Sequence, residues 1–324
     1  MNEENRYIII KRFIEILTEV LVQNSHIENI NEKLINIFLT GSIISQLESK
    51  KIRMLPDINY YLLIRGTGED IILFHYLLHK SIIEATRIIS NNMMIKVNVM
   101  LDLHPFSISY NKPIFKENII NIQLTTRAIN VSQKNLYPDY SWYGWYLNHI
   151  ILYPENGNDI LKTIPISPPN RDIIWLRNMY LALLSYGNVL QILPLYSLDK
   201  EHLFYETYKY LKEMLKDGIA LALTNQEFQE GKLHKILHGN WVEKIVSFYE
   251  ERYGNEATEI VEQFVKIEED YFSNVNVIDP LWLLRQAFKL RDILFNKGFM
   301  ARLREFSVDG RMLEEMLNSL PLWW

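Results

Sequence analysis

Two short segments near the N-terminus carry the residues whose types and spacing could do chemistry: FLTGS at 38–42 and PDINYY at 56–61. Asp57 and Asn59 are two apart at the start of an apolar run, so in a strand both side chains lie on one face. A carboxylate and an amide placed in this way either line a polar site or mark a strand that begins in solvent. Asn98, in IKVNVMLDL, is a further polar residue inside a strand pattern.

Strand and helix patterns alternate over the first 134 residues. Apolar residues at helical spacing cover 6–22, and a second helical pattern follows Gly68, with acidic residues in its first turn, and ends near Ser90. The alternation around Asn98 places this side chain opposite the apolar face of its strand. Short apolar or alternating runs predict four strands, at 34–39, 57–64, 95–103 and 119–126.

From about residue 135 the strand patterns end and helical patterns replace them. Pro280, with Asp279 as a cap, is typical of a helix start. We therefore predict an α+β chain of two domains: a mixed sheet with flanking helices over 1–134, and an all-helical domain over 135–324. Its long helices are predicted at 139–152, 171–187, 199–223, 240–252, 255–272, 281–296 and 308–319.

The segment 34–103 resembles the nucleotidyltransferase superfamily, which includes aminoglycoside nucleotidyltransferases and polymerase-β-like enzymes. The family signature is an apolar residue, Gly, Gly or Ser, a spacer, and Asp-apolar-Asp/Glu-apolar, with a third acidic residue on a later strand. LTGS supplies the first part, PDINYY the second, and Asn98 stands at the third acidic position. The spacer from Ser42 to Asp57 is slightly longer than the family's.

This resemblance implies a role for each motif residue. Gly41 and Ser42 would bind the triphosphate of an NTP through the free N–H groups of a helix N-terminus. Asp57 and Asn59 would hold Mg²⁺, and Asp57, Asn59 and Asn98 would occupy the three catalytic positions.

The loop between the two motif halves is basic. Lys51 and Arg53 could contact phosphate, and the alternative is an ordinary solvated loop.

Asn at two of the three acidic positions departs from the family pattern. An amide oxygen can ligate a metal, but it carries no charge and cannot act as a base. A unit charge at about 4 Å is worth roughly 4 kcal/mol at an effective dielectric constant near 20. Two functions therefore stay open: transfer of a nucleoside monophosphate from an NTP to a hydroxyl of a small molecule, or a catalytically degenerate module that binds a nucleotide or a protein.

Composition and charge limit the partners. A net charge of −5, spread over 324 residues, argues against general nucleic-acid binding. The chain has no cysteine, which excludes disulfides and thiolate metal sites. The N-terminus lacks the pattern of a secretory signal, and no apolar run reaches the roughly 20 residues of a membrane span. We expect a cytoplasmic protein whose partners are a nucleotide, a small-molecule acceptor, a second copy or another protein.

Histidine pairs and an aromatic stretch offer further candidates. His75 and His79, like His234 and His238, have a spacing that can bind a metal on a helix, but neither pair has an identifiable third ligand. The stretch WYGWYLNH at 142–149 could stack on a base, although a hydrophobic seam between domains is the preferred interpretation.

Overall fold

The computed structural model describes residues 3–102, 111–131, 145, 147–154, 159–163, 193–237, 241–270 and 279–299. The described residues form two compact units, the first within 3–163 and the second within 193–299. None of the helices in these ranges is both long enough and apolar enough to cross a membrane.

The first unit combines a five-stranded sheet with helices, and its four predicted strands are confirmed. The fourth of these is longer than predicted and continues to Asn130. Its elements in chain order are α1 (Glu3–Ile27), β1 (Leu34–Thr40), α2 (Ser42–Ser49), β2 (Asp57–Ile64), α3 (Gly68–Met93), β3 (Lys96–Asp102), β4 (Ile119–Asn130), β5 (His149–Tyr153) and α4 (Ile160–Thr163).

The sheet is mixed, and its strand order is β3-β4-β2-β1-β5. β4 runs parallel to both β2 and β3, whereas β1 is antiparallel to β2 and to β5. Because β4 lies between β2 and β3, the two strands that carry Asp57 and Asn98 are not neighbours.

Helices α1 and α3 pack on one face of this sheet. Strand side chains alternate between faces, and every second residue of β2 is buried and apolar on the helical side, as Ile58, Tyr60 and Leu62 show. A buried hydrogen bond of 3.0 Å from Asn24 Nδ2 to Ser81 Oγ joins the two helices. The other face of the sheet is therefore the one left for Asp57 and Asn59.

The N-terminus of α3 is fixed by a group of polar contacts. The carboxylate of Asp70 accepts hydrogen bonds from the backbone N–H of Thr67 at 2.7 Å and from Lys33 Nζ at 2.7 Å, while the Thr67 hydroxyl caps the helix. Asn130 Nδ2 donates to the carbonyl of Gly66. These contacts tie the loop before α3 to the chain before β1 and to the end of β4.

All described elements of the second unit are helical, as predicted. Tyr249 and Tyr253 donate hydrogen bonds to the carbonyls of Leu215 and Gly218, at 2.8 and 2.6 Å, and so fix two helices together. The predicted helices at 171–187 and 308–319 lie outside the described residues. The helices are α5 (Leu195–Leu198), α6 (Lys200–Ala222), α7 (Asn225–Gln229), α8 (Lys232–Leu237), α9 (Trp241–Tyr253), α10 (Asn255–Asp270) and α11 (Pro280–Ile293), followed by a π-helical turn (Leu294–Phe299).

Strand β5 requires a correction to the sequence analysis, which placed its residues in a helix at 139–152 and in the second domain. In the structure His149–Tyr153 is the edge strand beside β1, and the first unit continues through α4. A five-residue apolar run fits either a helix or a strand. This segment is a strand because it pairs with the open edge of β1, which lies more than a hundred residues earlier in the chain.

The contacts of Asp70 generate a pH-dependent prediction. The hydrogen bond from Lys33, followed by the one from the Thr67 backbone, lowers the pKa of Asp70. A carboxyl with a lowered folded-state pKa adds stability above its unfolded pKa of about 3.9, and this contribution is lost as pH falls through the folded pKa. Asp70→Asn should therefore reduce the free energy of unfolding at neutral pH, and its difference from the wild type should shrink in acid.

Urea unfolding between pH 7 and pH 3 measures this difference. Glu32→Gln is the matched control, since Glu32 is exposed beside Lys33, and this variant should follow the wild-type profile. A deficit of the Asp70 variant that stays constant down to the lowest pH would contradict the assignment.

Candidate functional site

The polar face of the sheet carries one residue from each strand in a continuous row. Strand register places His149 beside Thr40, Thr40 beside Asn59, Asn59 beside Thr125, and Thr125 beside Asp102. Laterally paired residues lie on the same face, so these five side chains form a polar row across the whole sheet. Asn59 occupies its centre.

Asp57 lies in a second, shorter row, two residues earlier along β2. Its neighbour on β4 is Gln123, and the next residue across is Met100. Gln123 and Thr125 are nearly buried, at 8% and 9% exposed, and Asp57 and Asn59 are half-buried. Asp57 is thus a carboxylate whose nearest neighbours along and across the sheet are neutral amides and a hydroxyl.

The Gly-Ser turn packs directly on Asn59. Gly41 has φ +83° and ψ −161°, and a Cβ at this position would lie 2.7 Å from Asn59 Nδ2. This backbone region is essentially restricted to glycine. The structure therefore places Gly41, and with it Ser42 at the start of α2, next to Asn59.

Asn98 has a different place from the one expected. It was predicted to share a pocket with Asp57, but β4 separates their strands, so the two backbones are about 10 Å apart across the sheet. Its Nδ2 donates to Asn121 Oδ1 and to the Lys112 carbonyl, both at 2.9 Å. These bonds hold the segment before β4, and the order of strands along the chain gave no indication of the intervening strand.

Sequence reasoning missed the β4 residues that do adjoin Asp57 and Asn59. The signal was present in IINIQLTT, where Asn121, Gln123 and Thr125 alternate with apolar residues and so share one face. Asp102 also joins the row, but at two strand spacings from Asn59, about 10 Å between backbones.

The basic loop before β2 is anchored through its backbone. The N–H of Lys51 donates to the carbonyl of Gln46 at 3.1 Å, and the N–H of Arg53 donates to Gln46 Oε1 at 3.0 Å. Arg6 Nε of α1 donates to the Ile52 carbonyl at 3.1 Å. The side chain of Lys51 is exposed and that of Arg53 is half-buried.

An aromatic cluster borders the row near β5. Trp145 packs on Tyr61 and Phe38, with ring centroids 5.0 and 5.7 Å apart. His149 Nε2 lies 2.9 Å from Asp159 Oδ2. Burial raises the pKa of Asp159, but His149 and Lys162 outweigh this effect and the net direction is downward. Of the aromatic stretch, residues 142–144 and 146 lie outside the described residues.

The side-chain oxygens available at the site determine which metal ion it could bind. One carboxylate and one amide, Asp57 and Asn59, fit a single Mg²⁺ that completes its octahedron with water and ligand phosphates. They do not fit a two-metal centre, which needs bridging carboxylates. Among the described residues no group of three or more His, Cys, Asp or Glu side chains is placed to hold a metal ion. His75 Nε2 accepts from the Ala128 N–H at 3.3 Å, and His238 lies outside the described residues.

Comparisons with protein-family models, with curated proteins and with solved structures found no significant match to this chain.

Gly41 gives a direct test of the turn geometry. Gly41→Ala should destabilise the protein by about 1–3 kcal/mol, because alanine disfavours this backbone region and its Cβ would collide with Asn59. Gly68→Ala is the matched control: a Cβ at Gly68, in the first turn of α3, meets no atom within 4 Å. The control should be neutral or more stable, by up to about 1 kcal/mol. Thermal and urea unfolding measure both, and equal effects would contradict the geometry.

Proposed function

We propose that the first unit is a nucleotidyltransferase-like module that binds a nucleoside triphosphate and has lost the transfer reaction. The observation that carries this proposal is the set of neutral residues beside Asp57 within the sheet: Asn59 follows it on the same face of β2, and Gln123 lies beside it on β4. The resemblance in the motif, the mixed sheet that joins β1, β2 and β3, and the turn packed on Asn59 support the family assignment.

In this proposal the nucleoside triphosphate is bound by the turn at Gly41 and Ser42 and by the carboxylate of Asp57. The N–H groups at the start of α2 and the Ser42 hydroxyl can donate to phosphate oxygens. Asp57, with the amide oxygen of Asn59, would hold one Mg²⁺, which neutralises phosphate charge. Thr125 and Gln123 add neutral hydrogen-bonding groups beside this pair.

Among the residues that the structure describes, β4 places no second carboxylate beside Asp57 or Asn59 that could act as a base or hold a second metal. The position beside Asn59 on β4 is Thr125, which cannot accept the proton of an attacking hydroxyl at neutral pH. Asp102 is the next carboxylate along the row, and the roughly 10 Å between its backbone and that of Asn59 exceeds the ~4 Å spacing that paired metals require.

Titration calorimetry with ATP and Mg²⁺ tests the binding part. The wild type should bind, and Asp57→Asn should weaken the Mg²⁺-dependent part at least ~10-fold, a change of about 1.4 kcal/mol. Asp102→Asn is the matched control, since this aspartate is on the same face of the sheet but two strands away, and it should bind like the wild type. Absence of ATP binding by the folded wild type would overturn the proposal.

A transfer assay with labelled nucleotide tests the loss of activity. The wild type should transfer nothing to small-molecule hydroxyls, and the double variant Asn59→Asp with Thr125→Asp, which places carboxylates beside Asp57, should gain measurable transfer. Transfer by the wild type would instead establish an active enzyme.

The variant Asn98→Asp tests whether Asn98 belongs to the site, as the motif alignment implies, or only holds the segment before β4. A carboxylate here would face the Lys112 carbonyl and Asn121 Oδ1, two acceptors, so the variant should lose about 1–3 kcal/mol of stability. It should neither strengthen Mg²⁺ binding nor produce transfer. A gain of either, measured beside the Asn59 and Thr125 variants, would mean that Asn98 belongs to the site.

A further inference from the structure

Helix α3 exposes an apolar stripe on the side that faces away from the sheet. Ile72, Tyr76 and Ile83 are 71%, 62% and 60% exposed, and His79, also exposed, lies among them. At 100° per residue these four positions fall within about 60° of one another around the helix. The opposite side of α3 is its buried face, made of Phe74, Leu77, Leu78, Ser81, Ile82, Ala85 and Ile89.

Helix α1, which packs beside α3 on the same sheet face, has an ordinary solvated surface. Charged residues near the middle of its outer side pair within the helix: Arg12 Nη1 lies 3.0 Å from Glu15 Oε2 and 3.5 Å from Glu19 Oε1. A surface helix normally has such a polar outer face. The stripe of α3 therefore differs from this charged part of α1.

The spacing of the stripe residues along α3 is the same in the N-to-C and the C-to-N direction. Its members, Ile72, Tyr76, His79 and Ile83, are separated by four, three and four residues. A two-fold axis that passes between residues 77 and 78 would place Ile72 against Ile83 of the partner subunit, and Tyr76 beside His79 of the partner subunit. An isologous interface requires this self-complementarity.

The charges at the two ends of the stripe follow the same symmetry. Glu69 and Arg87 are exposed, lie on the same side of the stripe, and make no ion pair with any described residue. The two-fold axis would bring Glu69 within one residue of the position opposite Arg87 of the partner subunit, and the reverse pair at the other end. Opposite charges would then close both ends of an antiparallel contact.

We propose that two copies of this chain associate through antiparallel packing of α3 on α3. We infer that the partner is a second copy of this chain, because a two-fold axis pairs the apolar residues of the stripe with one another and Glu69 with Arg87. The interface does not depend on the proposed nucleotide binding.

Light scattering after size exclusion tests the assembly. The wild type should have twice the 38.6 kDa chain mass, and Ile83→Lys should weaken the dimer at least ~10-fold, as loss of an apolar contact of about 1.4 kcal/mol would. Ile8→Lys is the matched control: Ile8 is 46% exposed on α1, outside the stripe, and this variant should stay dimeric. A monomeric wild type, or equal effects of the two variants, would overturn the proposal.

Disulfide cross-linking tests the antiparallel register. Because the chain has no cysteine, only the introduced cysteines can form a disulfide. Under oxidation Ile72→Cys alone and Ile83→Cys alone should stay uncross-linked, because like positions would be about 16 Å apart along the helix, beyond the ~7 Å that a disulfide spans. A mixture of the two variants should form a covalent dimer. Cross-linking of either single variant, or none in the mixture, would overturn the antiparallel arrangement.

Discussion

The parallel pairing of β4 with β2 on one side and β3 on the other is the constraint on which the candidate site depends. This register sets Gln123 beside Asp57 and Thr125 beside Asn59, and it moves Asn98 and Asp102 one strand further away. Strands are about 4.8 Å apart, so a single inserted strand separates groups that would otherwise share a metal ion. The residues that β4 places beside Asp57 and Asn59, Gln123 and Thr125, are neutral.

Neutral residues beside Asp57 also lower the free-energy cost of burying this face of the sheet. Thr40, Gln123 and Thr125 are less than a tenth exposed, and burying an ionised group costs far more than burying a hydroxyl or amide that has hydrogen bonds. Thr40 Oγ1, for instance, donates to the Asn148 carbonyl at 2.8 Å. Three carboxylates in the same place would repel one another by roughly 4 kcal/mol per pair at 4 Å without a bound metal. The amides and hydroxyls beside Asp57 avoid this repulsion when no ligand is bound, and they do so at the expense of metal affinity.

Local patterns predicted most elements, whereas non-local pairing decided the site. The alternation of apolar and polar residues located β2, β3 and β4, and helical spacing located α1, α3 and the main helices of the second unit. Strand order does not follow from the sequence of strands along the chain, so Asn98 was assigned to the position that adjoins β2, and Thr125 was overlooked. β5 was missed because its five residues carry no periodicity that distinguishes an edge strand from a helical turn. The sequence analysis named both Gly41 and Asn59 as site residues, but it did not predict the contact between them.

The two faces of the sheet in the first unit carry different kinds of side chain. α3 covers the apolar face of the sheet, and Asp57, Asn59 and Thr125 lie on the opposite face. An interface on the outer side of α3 is therefore separated from the polar row by the thickness of a helix and a sheet, roughly 10 Å for each layer. Pairing through α3 would leave the polar row of each copy uncovered by the other copy, on the far side of its sheet. Assembly and ligand binding would then be coupled only through the packing of α3 on the sheet, where the buried side chains have little freedom to shift, so a dimer with two independent sites is the simplest arrangement consistent with this fold.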